Sequence, residues 1–235
     1  MTGILAIETA SDACSVAVYV EGVMAERHVI APRQHSQLLF AMLDELLPGG
    51  RLSELGIQAI AYGCGPGSFT GLRIAASAVQ GLAYSSNLPA IAVPTLSVLA
   101  QSALREGKTA AADTVFCTLD ARINEVYSAV YGYEDGLAVL REGPWASAPA
   151  NLAPRHAGAM VAVGNGCSLL AGFPRALRER LRVTGPELAP AARDIVPLAL
   201  SKLQRGELQL PNEVQPVYVR DEISWKKLGQ QGSCA

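Results

Sequence analysis

Three groups of residues in this sequence could do chemistry. The first is a hydroxyl cluster, Thr9, Ser11 and Ser15, in and beside a tight turn between two short apolar runs. Amides and hydroxyls in such a turn can cradle a phosphate, although ordinary turn chemistry places the same residue types there. The second is the run Gly63-Cys-Gly-Pro-Gly-Ser-Phe-Thr-Gly71, which follows a strand and opens a helix. That is the geometry for holding an anion at a helix N-terminus. The spacing is neither GxGxxG nor Gly-Lys-Ser/Thr, and a tight turn needing glycine accounts for it equally. The third is Asp120 at the end of a strand. It is placed to hold magnesium or act as a base, or simply to pair with Arg122.

Other chemistries find less support. The histidines are His28, His35 and His156. Position 39, one turn after His35, is Leu39, so no His-x-x-x-His metal pair exists, and nothing resembles a GxSxG nucleophile elbow. The cysteines Cys14, Cys64, Cys117, Cys167 and Cys234 are scattered without a CxxC pair, which predicts free thiols in a reducing compartment and no zinc site.

The elements that must position these groups follow from apolar periodicity. Residues 3–8, 14–20 and 23–30 read as an antiparallel meander. Residues 32–47 form a helix ended by Pro48-Gly49-Gly50. Residues 58–62 are a strand, 71–86 a helix, 90–93 a strand, and Thr95 caps a helix to 105. The pattern then partly restarts with strands at 114–120, 125–133 and 137–142. Residues 144–157 read as loop and short helix, 160–163 as a strand, 174–181 as a basic helix and 194–205 as the last helix, with an extended tail from 206. The boundary falls near 106–113, giving subdomains 1–108 and 109–228 and a tail 229–235.

Length and composition agree with two subdomains. The chain has 235 residues, 50% hydrophobic and 17% charged, which excludes disorder for most of it. Net charge is −2, so no global basic field marks it for nucleic acid. The charge is divided: 1–140 carry 7 basic and 13 acidic residues, and 141–235 carry 12 and 8. Trp225-Lys226-Lys227 in the tail offer a possible nucleic-acid contact. The start lacks a basic, cleavable leader. The uncharged stretch 74–104 is broken by Gly81, Asn87, Pro89 and Pro94, so a soluble, cytoplasmic protein with no membrane association is expected.

The two helices that follow the first meander and the glycine run are unusual. Residues 35–47 carry a broad apolar stripe, and in 72–86 the only ionic residue is Arg73. A surface helix normally offers a charged face. This one predicts either that one side packs on the sheet and the other on a partner protein, or that the helix is fully internal in a larger core.

Taken together, the runs Ile4–Ala10, Cys14–Val18, Tyr62–Ile74, Asp120–Arg122 with Glu125–Tyr127, and Pro216–Arg220 before Trp225–Leu228 closely resemble the bacterial TsaB (YeaZ) family, paralogous to the TsaD (Gcp-like) family. The resemblance implies an α/β, actin-like fold of the sugar kinase and Hsp70 type, with two subdomains, each a mixed sheet flanked by helices. It implies a non-catalytic scaffold in the formation of N6-threonylcarbamoyladenosine (t6A) on tRNA. Such a scaffold pairs with a TsaD-like transferase, works with a TsaE-like ATPase, forms a homodimer through the same surface when alone, and meets tRNA only indirectly. It implies no metal and no cofactor in the lone chain, with a nucleotide held only within the complex. The implied pairing residues lie on the two helices: His35, Leu38, Leu39, Met42, Leu46, Ile74, Ala75, Ala78 and Leu82. Thr9, Ser11 and Ser15 would then be a vestigial phosphate-binding turn, and Gly164-Asn165-Gly166 would stand where actin-like ATPases hold adenosine. The competing readings are an actin-like ATPase or small-molecule kinase using the Thr9–Ser15 turn and Asp120, and a metallopeptidase, for which ligands are lacking.

Overall fold

A computed structural model describes residues 2–49 and 52–219. The first sheet is built from β1 (Gly3–Glu8), β2 (Ala13–Val20), β3 (Val23–Ile30), β4 (Ala59–Gly65) and β5 (Ala90–Pro94), in the order β3-β2-β1-β4-β5. β2 and β3 run antiparallel to their neighbours, and β1, β4 and β5 are parallel. The second sheet repeats this plan. It comprises β6 (Val115–Arg122), β7 (Glu125–Glu134), β8 (Leu137–Ser147), β9 (Met160–Val163) and β10 (Leu181–Gly185) in the order β8-β7-β6-β9-β10. Two sheets of one topology, each flanked by helices, make the actin-like fold, and the partial restart seen in the sequence is this repeat.

β1 is buried at every residue because it is covered on both faces. On one face, Ile4 and Ala6 meet α3 (Thr95–Arg105) and α5 (Ala192–Gln204) in a core that continues through Val115, Cys117 and Leu119 of the second sheet. On the other face, Leu5, Ile7, Ile60 and Tyr62 lie under α1 (His35–Leu46) and α2 (Phe69–Ser86), through Leu39, Leu43, Ala75, Val79 and Ala83. The outer face of the second sheet is closed by Phe116, Val130, Phe173 and Leu177, the two rings meeting edge-on at 6.0 Å.

Several boundaries differ from the periodicity reading, each for a local reason. α1 begins at His35, because Arg33 adopts a left-handed φ of 65°. α2 begins two residues earlier than expected: the Ser68 side chain accepts from the Gly71 amide at 3.2 Å and caps it. Thr95 does not cap α3. Pro94 holds that position, and the Thr95 hydroxyl accepts from the Gly65 amide instead. β8 runs on to Ser147 through a register shift near Gly143-Pro144, where a loop was expected. The basic helix shrinks to α4 (Arg175–Arg178), and Leu181–Gly185 forms an edge strand.

The chain also returns. α5 packs against the first sheet, and Gln209 bridges Ala90 on the edge of β5. Val217 then donates to the Cys64 carbonyl at 2.7 Å. The stretch from 192 to 217, assigned by sequence to the second subdomain, thus serves the first sheet as well. Arg105 and Ser102 of α3 hold Asp194 of α5 through bonds of 2.6–2.9 Å, fixing the two helices between the sheets.

Candidate functional site

The β1–β2 hairpin, residues 8–13, lies where the sequence places a phosphate cradle. Three glycines of the following motif close on it. A Cβ at Gly63 would lie 2.0 Å from Glu8 Oε2, at Gly67 2.3 Å from the Ala10 carbonyl, and at Gly71 1.9 Å from the Thr9 carbonyl. No side chain fits at such distances. Gly67 and Gly71 thus bring the loop and helix into direct backbone contact with the hairpin, and Gly63 leaves room for the Glu8 carboxyl. The Ser68 amide completes the contact by donating to the Ala10 carbonyl at 2.7 Å.

The three hydroxyls of the expected cradle point to different elements. Thr9 is buried and donates to the Gly71 carbonyl at 2.8 Å. Ser15 is buried, donates to Glu26 and accepts from the Ala192 amide at the start of α5. Ser11 keeps some exposure and accepts from the Ala13 amide. His35 Nε2 lies 2.9 Å from the Ser11 carbonyl and 3.1 Å from that of Ala13. Both neighbours only accept, so this nitrogen carries the proton. The hairpin thereby anchors α1 through His35, α2 through Thr9 and α5 through Ser15.

Beneath it sits Glu8, fully buried. Oε1 accepts from the Ala10 amide at 2.7 Å, while Oε2 has no hydrogen-bond partner among the described residues. Burial pushes its carboxyl up to about 7, against the pull of the Ala10 and Thr9 amides. Burial, and next the charge of Glu8, push the Cys14 thiol up to about 11 and that of Cys64 to about 12. Both are unreactive thiols. Cys14, Cys64, Cys117 and Cys167 are all buried and free, and Cys234 lies outside the described residues.

Asp120 takes part in a bridge between the sheets. Its carboxylate accepts from the Arg122 amide at 2.8 Å, and the Arg122 guanidinium lies 3.6 Å from Asp120 and 3.5 Å from Asp12 of the first hairpin. The Gly164-Asn165-Gly166 turn repeats the logic of the first loop. A Cβ at Gly164 would lie 2.3 Å from the Thr118 carbonyl and one at Gly166 2.3 Å from the Thr118 hydroxyl, while Asn165 accepts from the Asp120 amide. Among the described residues no group of three His, Cys, Asp or Glu could hold a metal ion, and no helix is long and apolar enough to cross a membrane.

The helix face divides. Of the residues expected there, His35, Leu39 and Ala75 are turned into the core, and Met42 and Ala78 are nearly covered. Leu38, Leu46, Ile74 and Leu82 keep partial exposure. The more exposed side chains are ones outside the set implied by the resemblance, Phe40 at 57% on α1 and Tyr84 at 83% on α2 with Ser77 and Gly81. Between the ends of α1 and α2 an open groove of about 690 Å³ is lined by Phe40, Leu43, Leu47 and Leu82. The opposite flank of α2 is partly engaged by this chain itself, although Phe69, Arg73 and Gln80 stay exposed. Tyr218 packs on Phe69 at 5.6 Å and accepts from Arg73, whose guanidinium sits 3.7 Å above the Phe69 ring, and Gln80 donates to the Val214 carbonyl. Part of the missing charged face is thus explained within the chain. The candidate contacts at Trp225, Lys226 and Lys227 lie outside the described residues.

Known proteins share this architecture. A family model described as TsaD, tRNA N6-adenosine threonylcarbamoyltransferase, matches residues 3–153. The chain is 38% identical over 229 residues to the tRNA threonylcarbamoyladenosine biosynthesis protein TsaB of Escherichia coli, covering 96% of this chain and 97% of that protein. The chain belongs to the TsaB (YeaZ) family. The TsaB of Haemophilus influenzae is 31% identical over 96% of both chains. The solved structure of YeaZ from Pseudomonas aeruginosa, 36% identical, superposes with a TM-score of 0.82 over 93% of this chain and all of that one. A second Pseudomonas aeruginosa structure, described as similar to the peptidase YeaZ, gives 0.83 at 35% identity over 94% of this chain and all of that one.

Within this TsaB-family fold, the sequence reading missed Glu8 and the strap from Gln209 to Tyr218. The signal for Glu8 was present as a carboxylate closing an otherwise apolar strand.

Two stability measurements test the site. Gly71→Ala forces α2 away from Thr9 and lowers stability by about 3 kcal/mol in urea titration, as overpacking does. Gly81→Ala, at an open position within the same helix, raises it by about 0.5–1 kcal/mol. Glu8 binds its proton more tightly folded than unfolded. Its contribution is therefore complete below about pH 4.5 and is lost as pH rises through about 7. Relative to Glu8→Gln, the native chain loses on the order of 3 kcal/mol between pH 4.5 and 8. Parallel pH profiles would refute this assignment.

Proposed function

We propose that this chain is a non-catalytic docking subunit in the biosynthesis of N6-threonylcarbamoyladenosine on tRNA. It pairs through α1 and α2 with a TsaD-like transferase, supports that enzyme's activity and works beside a TsaE-like ATPase. The same face closes a homodimer when the transferase is absent. The lone chain carries no cofactor, and any nucleotide is held only within the complex.

The observation that carries this reading is the outward face of α2. Ile74, Ser77, Gly81, Leu82 and Tyr84 form an uncharged strip on a helix whose one ionic side chain, Arg73, is turned onto Phe69 and Tyr218. Small residues at Ser77 and Gly81 let a second helix approach closely. Phe40 and Tyr84 flank them as large side chains of the kind that anchor interfaces. The inward engagement of Thr9 and Ser15 and the closure of the glycine loop on the hairpin support a supporting rather than a chemical role. Names of relatives in this family support the pathway.

Gly81→Glu tests the docking face. The position is open, so the variant folds with a native melting profile. Placed in the interface, an unpaired charge costs about 3–5 kcal/mol, so affinity for the transferase falls by about 100-fold or more in a titration. Native affinity in the folded variant would refute this surface as the interface.

A further inference from the structure

Away from the helix face, residues 155–182 hold five arginines, no lysine and one acidic residue, Glu179. Glu179 is taken by Arg175 at 2.7 Å. Arg180 spends its donors on backbone carbonyls, that of Ala176 at 2.9 Å and that of His156. It thereby stitches the 155–157 loop to α4 without losing its charge to a carboxylate. Glu142, the acidic group nearest this loop in the hydrogen-bond network, accepts the amides of Arg155 and His156, both at 2.7 Å. It orders the loop and leaves the Arg155 guanidinium unclaimed. Arg155 and Arg178 are exposed and neither makes an ion pair with another described residue, and Arg182, also exposed, reaches Asp113 only at 3.9 Å.

Arg180 joins the 155–157 loop to α4, so Arg155, Arg178 and Arg182 stand exposed on adjoining segments, and these lack what a protein interface needs. No large apolar side chain between 155 and 182 is exposed. Protein partners are anchored by apolar and aromatic groups at the centre of a patch. A nucleic-acid backbone needs only spaced cations, and guanidinium forks match phosphate oxygens. The acidic first 140 residues, at net −6, would repel the same polyanion and so orient it.

We propose that the surface carrying Arg155, Arg178, Arg180 and Arg182 binds the phosphodiester backbone of the tRNA being modified, so that this chain touches RNA directly. The choice of RNA rests on the proposed role in tRNA modification. The arginine arrangement does not depend on the transferase docking face.

The test is a titration of labelled, unmodified tRNA with the full-length chain, alone and together with the transferase, at several salt concentrations. Arg155→Ala with Arg178→Ala weakens tRNA binding by about tenfold and reduces the slope of log affinity against log salt by about 2. Arg27→Ala, a cation on the other sheet, leaves both unchanged. An unaltered affinity and slope in the double variant overturns the proposal, as does tRNA binding by the complex that the chain does not change. Loss of the transferase complex with tRNA affinity preserved also overturns it, and assigns the arginines to an acidic protein. If the native chain does not pair with the transferase yet shows the arginine-dependent slope, the RNA contact stands and the docking role falls.

Discussion

The backbone contact between the β1–β2 hairpin and the glycine loop is the constraint on which the rest of this molecule depends. Gly63, Gly67 and Gly71 each face an atom of residues 8–10 with no room for a side chain. Because β4 continues through that loop into α2, the contact sets where α2 starts and how closely it lies on the sheet. The same hairpin fixes α1 through His35 and α5 through Ser15. Three helices are referenced to the eight residues 8–15, and the relation of α1 to α2 follows from that shared anchor.

The polar groups of the hairpin are used inward. A turn carrying Thr9, Ser11 and Ser15 has the composition of an anion cradle, yet each hydroxyl bonds a different part of the chain. Glu8 carries the cost of this arrangement: a carboxyl with one oxygen lacking a hydrogen-bond partner among the described residues, held near neutrality by burial. Gly164 and Gly166 make the corresponding contact with Thr118 in the second sheet. One structural solution, glycine loops pressed against the first strand of each sheet, serves both halves.

Much of the fold was legible in the sequence. The meander of residues 3–30 and its restart near 114 follow from short apolar runs and turns, and both sheets have that form. Where the reading failed, tertiary contacts overrode local pattern. The basic stretch 174–181 was expected to be a helix, but only Arg175–Arg178 is helical, and Leu181–Gly185 pairs with β9 as an edge strand. The uncharged character of α2 was visible, but not that Phe69, Arg73 and Gln80 are engaged by Val214 and Tyr218, more than 130 positions away. The resemblance placed Leu39 and Ala75 at an interface, yet both are turned into the core, because an apolar stripe does not distinguish core from partner. How far Phe40 and Tyr84 stand out of the face needed the structure.

The account makes this chain a subunit that acts by placing a surface rather than by chemistry of its own. The most direct measurement is threonylcarbamoyl transfer to tRNA in a reconstituted mixture of a TsaD-like transferase, a TsaE-like ATPase and the enzyme that supplies the activated intermediate, with and without this chain. The account predicts that modification collapses when the chain is omitted. Modification that proceeds at the same rate without it would contradict the account.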